Sequence, residues 1–358
     1  MNEPEIAADT AATTTQPPTE ATSAANSSEP NAKNNMSSLY APIQDALDET
    51  ERQIQQELTS KDDQLKKLFD QCRHLSGKRM RPALTLLCAQ LCGEIVPKHI
   101  TCATIMELVH TASLVHDDVL DEATLRRHEA TINARWDNEA AVLLGDLIVS
   151  KAMKLAASLE NFDAFNLIAA TSEKLCLGEL LQEVNRGTID LDEGLYYKII
   201  EGKTAALIEC SCRLGAMFAG AAPETVDSLG RFGLHLGTAF QIVDDLLDVS
   251  GNEKVVGKTL GQDIKKKKST LAVIYALQCV SEQKRIEIAS TIKDSDNPAT
   301  ELMPWLKRTN ALEFARKAAE KQVALALEEL EKVDCSEAGA DALESLKNLA
   351  QFVLTRKY

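Results

Sequence analysis

Aromatic residues are scarce in this 358-residue chain. Phe, Trp and Tyr make up 4% of it, a poor fit to an aromatic-rich sheet protein. A surplus of cations is missing too. Lys and Arg number 39 against 54 Asp and Glu, for a net charge of −15 and a pI near 5.0. A nucleic-acid surface is therefore not expected, because phosphate backbones are met by clustered Lys and Arg. No apolar run approaches the roughly 20 residues of a membrane span, so stable membrane insertion is not expected. No basic region followed by an apolar core stands near the N-terminus, so no signal peptide is expected. Cys-x-x-Cys is absent, and the nine cysteines are scattered through apolar stretches. They read as buried, reduced thiols and suit a reducing cytoplasm. Proline is missing between Pro97 and Pro223 and again between Pro223 and Pro298. Stretches that long, rich in Leu, Ala, Glu and Lys, fit stacked helices.

What is present is 44% hydrophobic, mostly aliphatic, and recurs at three- and four-residue spacing from Leu39 onward, as in Ile43, Leu47 and Ile54. The fold class expected is all-α, one large helical bundle over 39–358 with a central substrate cavity. Residues 1–38 hold few large apolar side chains and one basic residue, Lys33. They read as a disordered tail, unable to bury enough surface to offset ordering entropy. Helix breaks are expected near Gly77, Cys92–Pro97, Thr131–Asn133, Asn161–Asp163, Gly187–Asp192, Ala219–Pro223, Ser250–Gly261 and Asp294–Pro298.

Two acidic motifs carry the chemistry. The first is Asp117-Asp118-Val119-Leu120-Asp121, inside an apolar helical run. Asp117 and Asp121 are four residues apart, hence neighbours on one helix face, where two anions repel. The arrangement asks for a cation, and Mg²⁺ takes hard oxygen ligands and usually keeps water and substrate phosphate. The second motif, Asp244-Asp245-Leu246-Leu247-Asp248, repeats the spacing and follows Gln241. If the two helices face each other, six carboxylates (Asp117, Asp118, Asp121, Asp244, Asp245 and Asp248) line one cavity able to hold metal ions and a diphosphate.

Cations complement them. Lys78, Arg79 and Arg81 gather at a loop-to-helix junction, where Arg would give a diphosphate bidentate contacts and Lys a point charge. Arg126 and Arg127 follow the first motif, Lys203-Thr204 sits in a helical stretch, and Lys258 follows the second motif. The run Lys265–Lys268 reads equally as a solvated face.

With these residues in place the chain resembles the trans-isoprenyl diphosphate synthases, and among them the long-chain polyprenyl members. The resemblance rests on the order Gly77-Lys78-Arg79-x-Arg81-Pro82, His110, Asp117–Asp121, Arg126-Arg127, Gly145-Asp146, Gly202-Lys203-Thr204 and Gln241–Asp248. It implies the isoprenoid synthase fold and an enzyme that condenses isopentenyl diphosphate with an allylic diphosphate to make a medium- or long-chain all-trans polyprenyl diphosphate. It also implies Mg²⁺, with Mn²⁺ as a substitute, and a homodimer. Lys78, Arg81, His110 and Arg127 then match the isopentenyl diphosphate subsite. Arg126, Lys203, Thr204, Gln241 and Lys258 match contacts to the allylic substrate, with Lys268 a further phosphate contact. Asp117, Asp121, Lys203, Asp244 and Lys258 are the expected catalytic set.

Small residues at Ala112 and Ser113, where short-chain members carry aromatics, leave a pocket open toward Val109 and Met106. The chain departs from the family at Arg126–Thr131, which lacks a usual Gly and Pro and is expected to be more helical. Two other readings stand beside this one: a class I terpene cyclase, and a non-catalytic subunit of a heteromeric synthase. The cyclase would need no second diphosphate subsite; the subunit should have lost acidic ligands.

Overall fold

The computed structural model describes residues 38–75, 77–126, 129–188, 191–250, 266, 268–295 and 298–356. The tail expected over 1–38 lies outside these residues apart from Ser38.

Helices dominate. A 3-10 turn at Ala41–Ile43 leads into α1 (Gln44–Glu57), followed by α2 (Asp63–His74), α3 (Met80–Cys92) and α4 (Pro97–Leu120). A short α5 (Ile132–Arg135) precedes α6 (Asn138–Ser158) and α7 (Phe162–Val184). Helix α8 (Glu193–Ile200) runs through a π-turn, Glu201–Ala205, straight into α9 (Ala206–Phe218). After these come α10 (Pro223–Ser250), α11 (Leu271–Gln278), α12 (Glu282–Asp294), α13 (Pro298–Arg308), α14 (Ala311–Leu330) and α15 (Ala340–Thr355).

The starts of these helices are written locally. Asp137, Asn161 and Asp192 each accept from the backbone N–H three residues on, at 2.6, 2.9 and 3.1 Å. Pro97 occupies the first turn of α4, where its missing N–H costs nothing. The expected breaks before α4, α6, α7, α8 and α10 fall where the sequence places them, give or take a few residues. The break expected over Ser250–Gly261 lies outside the described residues apart from Ser250, and the loop after the first acidic motif, expected to be more helical, is not helical. Leu125–Arg126 pairs antiparallel with Glu129–Ala130, a two-stranded hairpin here called β1 and β2. Thr131 Oγ1 donates to Ala123 O at 2.6 Å and Asn133 Nδ2 to the same carbonyl at 3.1 Å, so side-chain bonds close the loop without the family's Gly and Pro.

Two apolar clusters fill the interior. One joins α3, α10, α14 and α15; the other joins α4, α6 and parts of α1, α2 and α7. Helix α9 lies between them, giving Ile208 and Cys212 to the first and Leu207, Cys210 and Leu214 to the second. Residues 82–89 of α3 and 102–109 of α4 are all buried, so these helices are enclosed on every side. Five of the nine cysteines are buried as expected; Cys176, Cys279 and Cys335 are exposed, Cys92 is half-buried, and none forms a disulfide. No described helix is long and apolar enough to cross a membrane.

The π-turn is squeezed from two sides by glycine. A Cβ on Gly178 of α7 would lie 2.5 Å from Lys203 N, and one on Gly237 of α10 would lie 2.5 Å from Ala205 Cα. These are backbone neighbours, unable to swing away. Gly178→Ala should therefore push α7 off the π-turn and cost about 1–3 kcal/mol or more, as overpacking does. Urea unfolding of the variant against the parent chain measures the loss; an unchanged midpoint would show that the helices slide apart freely.

Candidate active site

Buried carboxylates need partners, and every described acidic residue of the first motif has found cations. Asp117 and Asp121 point the same way, one turn apart at the end of α4. Lys203 reaches Asp117 at 3.7 Å from the π-turn and Glu179 of α7 at 2.5 Å. Asp121 gathers Lys266 at 3.1 Å, Lys268 at 3.3 Å and Arg186 at 3.7 Å. The described part of the lysine run is thus no solvated face: Lys266 and Lys268 turn inward onto the first motif.

Asp118 faces away from this pair. It is 1% exposed and takes a 2.8 Å ion pair from Arg126 Nε, which fastens the hairpin to α4. Asp245 is similarly enclosed. Tyr196 OH donates to its Oδ2 at 2.7 Å and Gln241 Nε2 to its Oδ1 at 2.9 Å. Gln241 Oε1 in turn accepts from Thr204 Oγ1 at 2.8 Å. Of the six carboxylates expected to line one cavity, Asp118 gives only Oδ1 to Arg126, its Oδ2 being buried without a hydrogen-bond partner, while Asp245 has both oxygens bonded. Asp244 remains open, 42% exposed along its side chain, with Arg356 at 3.5 Å. Arg356 itself donates to Phe240 O at 2.7 Å and stacks on the Phe240 ring at 3.7 Å. Asp248 lies half-buried on the next turn of α10.

The π-turn joins the two motifs. Lys203 contacts the first acidic helix while its neighbour Thr204 contacts the Gln241–Asp245 turn of the second. π-turns inside α-helices recur at functional sites because they rotate adjacent side chains apart.

A second basic group lies at the start of α3, packed on α4. Arg81 is half-buried and its buried Nε has no hydrogen-bond partner; burial lowers its pKa to about 10, against the opposing pull of Glu107. Lys78 is exposed, its Nζ 5.5 Å from the Phe352 ring centre, and its carbonyl accepts from Tyr40 OH at 3.0 Å. His110 is half-buried on α4, one turn from Glu107. Arg79 does not join them. Its backbone takes φ +52° at the cap of α3, and its guanidinium turns inward to Glu107 at 2.5 Å and Glu51 at 2.7 Å. That ion-pair bridge offsets a left-handed conformation that costs about 1–2 kcal/mol outside glycine. Arg127 and Lys258 lie outside the described residues.

Beyond Asp117 the α4 interior is apolar. Ala112 and Met106 are fully buried and Val109 nearly so, in one cluster with Leu144 and Ile148 of α6 and Leu207 of α9. Ser113, half-buried one turn before Asp117, donates to His110 O at 2.8 Å.

The donor set suits a hard divalent cation: carboxylate oxygens stacked one turn apart, partly open to solvent. Among the described residues no three His, Cys, Asp or Glu side chains stand close enough to hold an ion unaided. An ion there would complete its shell with water and phosphate oxygens, as Mg²⁺ does. Sequence reading missed Glu179, Arg186, Tyr196 and Arg356. Glu179 and Glu183 recur at helical spacing along α7 and Arg186 follows just past its end, a signal that was legible; Tyr196 and Arg356 reach the second motif only through tertiary packing.

Burial raises the pKa of Asp117 above the carboxylate range, outweighing Lys203, and Glu179 and Asp121 add to the rise. Burial would raise Asp121 as well, but Lys268, Lys266 and Lys203 together hold it below its ordinary value. Lys203 is pushed down by burial and then up, on balance, by Asp117 and Glu179. A carboxyl raised on folding favours the fold below its unfolded pKa and loses that contribution as pH rises through the folded value. In metal-free buffer Asp117→Asn should therefore melt above the parent chain at pH 7, the gap closing toward pH 4. Thermal unfolding across that range checks it; a variant that melts below the parent at pH 7 would show that Lys203 dominates instead.

The Polyprenyl synthetase family model matches residues 62–306. An all-trans-nonaprenyl-diphosphate synthase (geranyl-diphosphate specific) of Rhodobacter capsulatus is 37% identical over 282 residues, 78% of this chain and 85% of that protein. Heptaprenyl diphosphate synthase component 2 of Geobacillus stearothermophilus is 33% identical over 90% of this chain and 99% of its own length. Among solved structures, a polyprenyl synthase from Caulobacter crescentus complexed with calcium and isoprenyl diphosphate superposes with a TM-score of 0.83 at 27% identity, covering 90% of this chain and 98% of that one. A helical fold shared over nine-tenths of the chain, together with a family match across both acidic motifs and the turn between them, makes this chain a member of the polyprenyl synthetase family.

Proposed function

We propose that this chain is a chain-elongating prenyl transferase, joining isopentenyl diphosphate to an allylic diphosphate to give a long all-trans polyprenyl diphosphate. The observation that carries the reading is the bridge at Lys203-Thr204, which ties Asp117 on α4 to the Gln241–Asp245 turn on α10. Beside it, Lys78, Arg81 and His110 offer a second anion subsite, which a cyclase acting on one diphosphate would not need.

The residues divide the work. Lys203, Lys266 and Lys268 meet the charge that builds on the departing allylic diphosphate, and Thr204 and Gln241 orient it. Fixed cations aimed at developing charge are usually the largest catalytic contribution, a single donor being worth about 2.7–4 kcal/mol. Divalent cations, Mg²⁺ with Mn²⁺ as a substitute, would be held by Asp117, Asp121, Asp244 and Asp248 and would supply further neutralisation of the diphosphate oxygens; the calcium in the Caulobacter relative supports a divalent ion here. Arg81, Lys78 and His110 hold isopentenyl diphosphate so that its double bond meets the allylic cation as the C–O bond breaks. No side chain stands out as the base, so the released diphosphate takes the proton. The apolar interior around Ala112, Val109 and Met106 excludes water that would quench the cation. We infer a catalytic domain over 39–358 and a reducing cytoplasm, which suits nine unpaired thiols.

We further infer a homodimer. Helix α6 exposes Val142, Leu143 and Leu147, and α7 exposes Leu177, Leu180 and Val184 at helical spacing. An apolar stripe on two successive helices is what a two-fold, self-complementary interface covers. Leu143→Glu should convert a dimer to a monomer by light scattering; a parent chain already monomeric would refute the interface.

The purified chain, given isopentenyl diphosphate, farnesyl diphosphate and Mg²⁺, should release products longer than geranylgeranyl diphosphate, and EDTA should stop it. Activity of the chain alone would exclude a non-catalytic subunit. Hydrocarbon released from the allylic substrate alone would favour the cyclase. Ala112→Phe should shorten the product, whereas unchanged product lengths would remove Ala112 from the elongation path.

A further inference from the structure

Two segments close on one carboxylate. Helix α7 ends at Val184, Asn185 Nδ2 donates back to Leu181 O at 2.8 Å, and Gly187 takes φ +82°. A side chain at that φ would be strained, so glycine lets the chain reverse there. The reversal leaves Arg186 Nη2 2.6 Å from Glu183 and 3.7 Å from Asp121. From the other side come Lys266 and Lys268, and Ser269 Oγ donates to Thr188 O at 3.0 Å, fastening the two segments to each other.

Asp121 is thus shared by three cations. Across the neighbouring network, Asp117, Asp121, Glu179 and Glu183 meet Lys203, Lys266, Lys268 and Arg186, a balanced set among the described residues. Arg186 is poorly satisfied within it: its Nε and Nη2 are buried and neither makes a hydrogen bond of good geometry. A planar guanidinium with two parallel N–H groups suits an oxyanion that can accept both. A carboxylate divided three ways cannot.

We propose that Arg186 is a further substrate-binding residue. In the free protein it helps to hold Asp121; when a divalent cation takes that carboxylate, the guanidinium passes to the allylic diphosphate. Ion and diphosphate then enter as a pair, since each frees the partner that the other needs. The inference rests on the diphosphate reading given above.

Calorimetry on the full chain with Mg²⁺ and inorganic pyrophosphate, separately and together, tests it. The parent should bind pyrophosphate more tightly with Mg²⁺ than without, by about tenfold or more. Arg186→Gln should weaken pyrophosphate binding in Mg²⁺ by about tenfold, the loss of one charged hydrogen-bonding partner. The same variant should bind Mg²⁺ alone more tightly, a competitor for Asp121 having gone. Arg186→Lys should fall between the two, and supplies the comparison if the glutamine variant does not fold. In turnover, KM for the allylic substrate should rise while KM for isopentenyl diphosphate stays put. Equal pyrophosphate binding by parent and variants would overturn the role of Arg186 alone. A parent that binds no pyrophosphate with Mg²⁺ would overturn the diphosphate reading with it.

Discussion

Charge pairing at the C-terminal end of α4 is the constraint around which the molecule is organised. Carboxylates at Asp117, Asp118 and Asp121 leave water only because cations arrive from four separate places: the hairpin, the end of α7, the π-turn and the segment before α11. Removing a charge from water costs several kcal/mol unless it is paired, so these elements hold one another in register. Asp118 and Asp245 show a division within each motif: one aspartate is bonded into the wall, and its neighbours keep side chains partly open to solvent.

Small residues bring the walls close enough to do this. Gly178 and Gly237 admit the π-turn between α7 and α10, and Gly145 leaves room for the His116 ring against α6. The enclosed helices α3 and α4 give the charged end a rigid base, so the basic group on α3 and the acidic pair on α4 keep a set separation. Arg79 makes the same point by default. Its bridge between Glu51 and Glu107 ties α1, α3 and α4 together.

Much of this was legible in the sequence. Three- and four-residue periodicity, breaker residues and proline placement located most of the helices. The spacing of the two acidic motifs singled out residues that the structure brings together through Lys203-Thr204 and Gln241. Side-chain direction was not legible. Nothing local distinguishes Asp118 from Asp117, or Arg79 from Arg81; which partners each finds is decided by tertiary packing. The hairpin at Leu125–Ala130 escaped because its closing bonds come from Thr131 and Asn133 rather than from a turn signature. Lys266 escaped, and Lys268 was reached only through the resemblance, because a lysine run looks the same whether it meets water or Asp121.

The π-turn also makes the chain's length at this point a matter of angle. Such a turn amounts to an α-helix carrying one surplus residue. Loss of a single codon between Glu201 and Ala205 would heal the backbone into regular α-helix, and hydrogen bonding would improve locally. Yet α8 would then rotate by roughly 100° against α9, the angle that one residue spans. Tyr196 would swing off Asp245, and Lys203 and Thr204 would no longer diverge toward separate walls. Here a deletion that makes the helix more ideal would dismantle the site, so lineages of this enzyme should hold that spacing even where the residues drift.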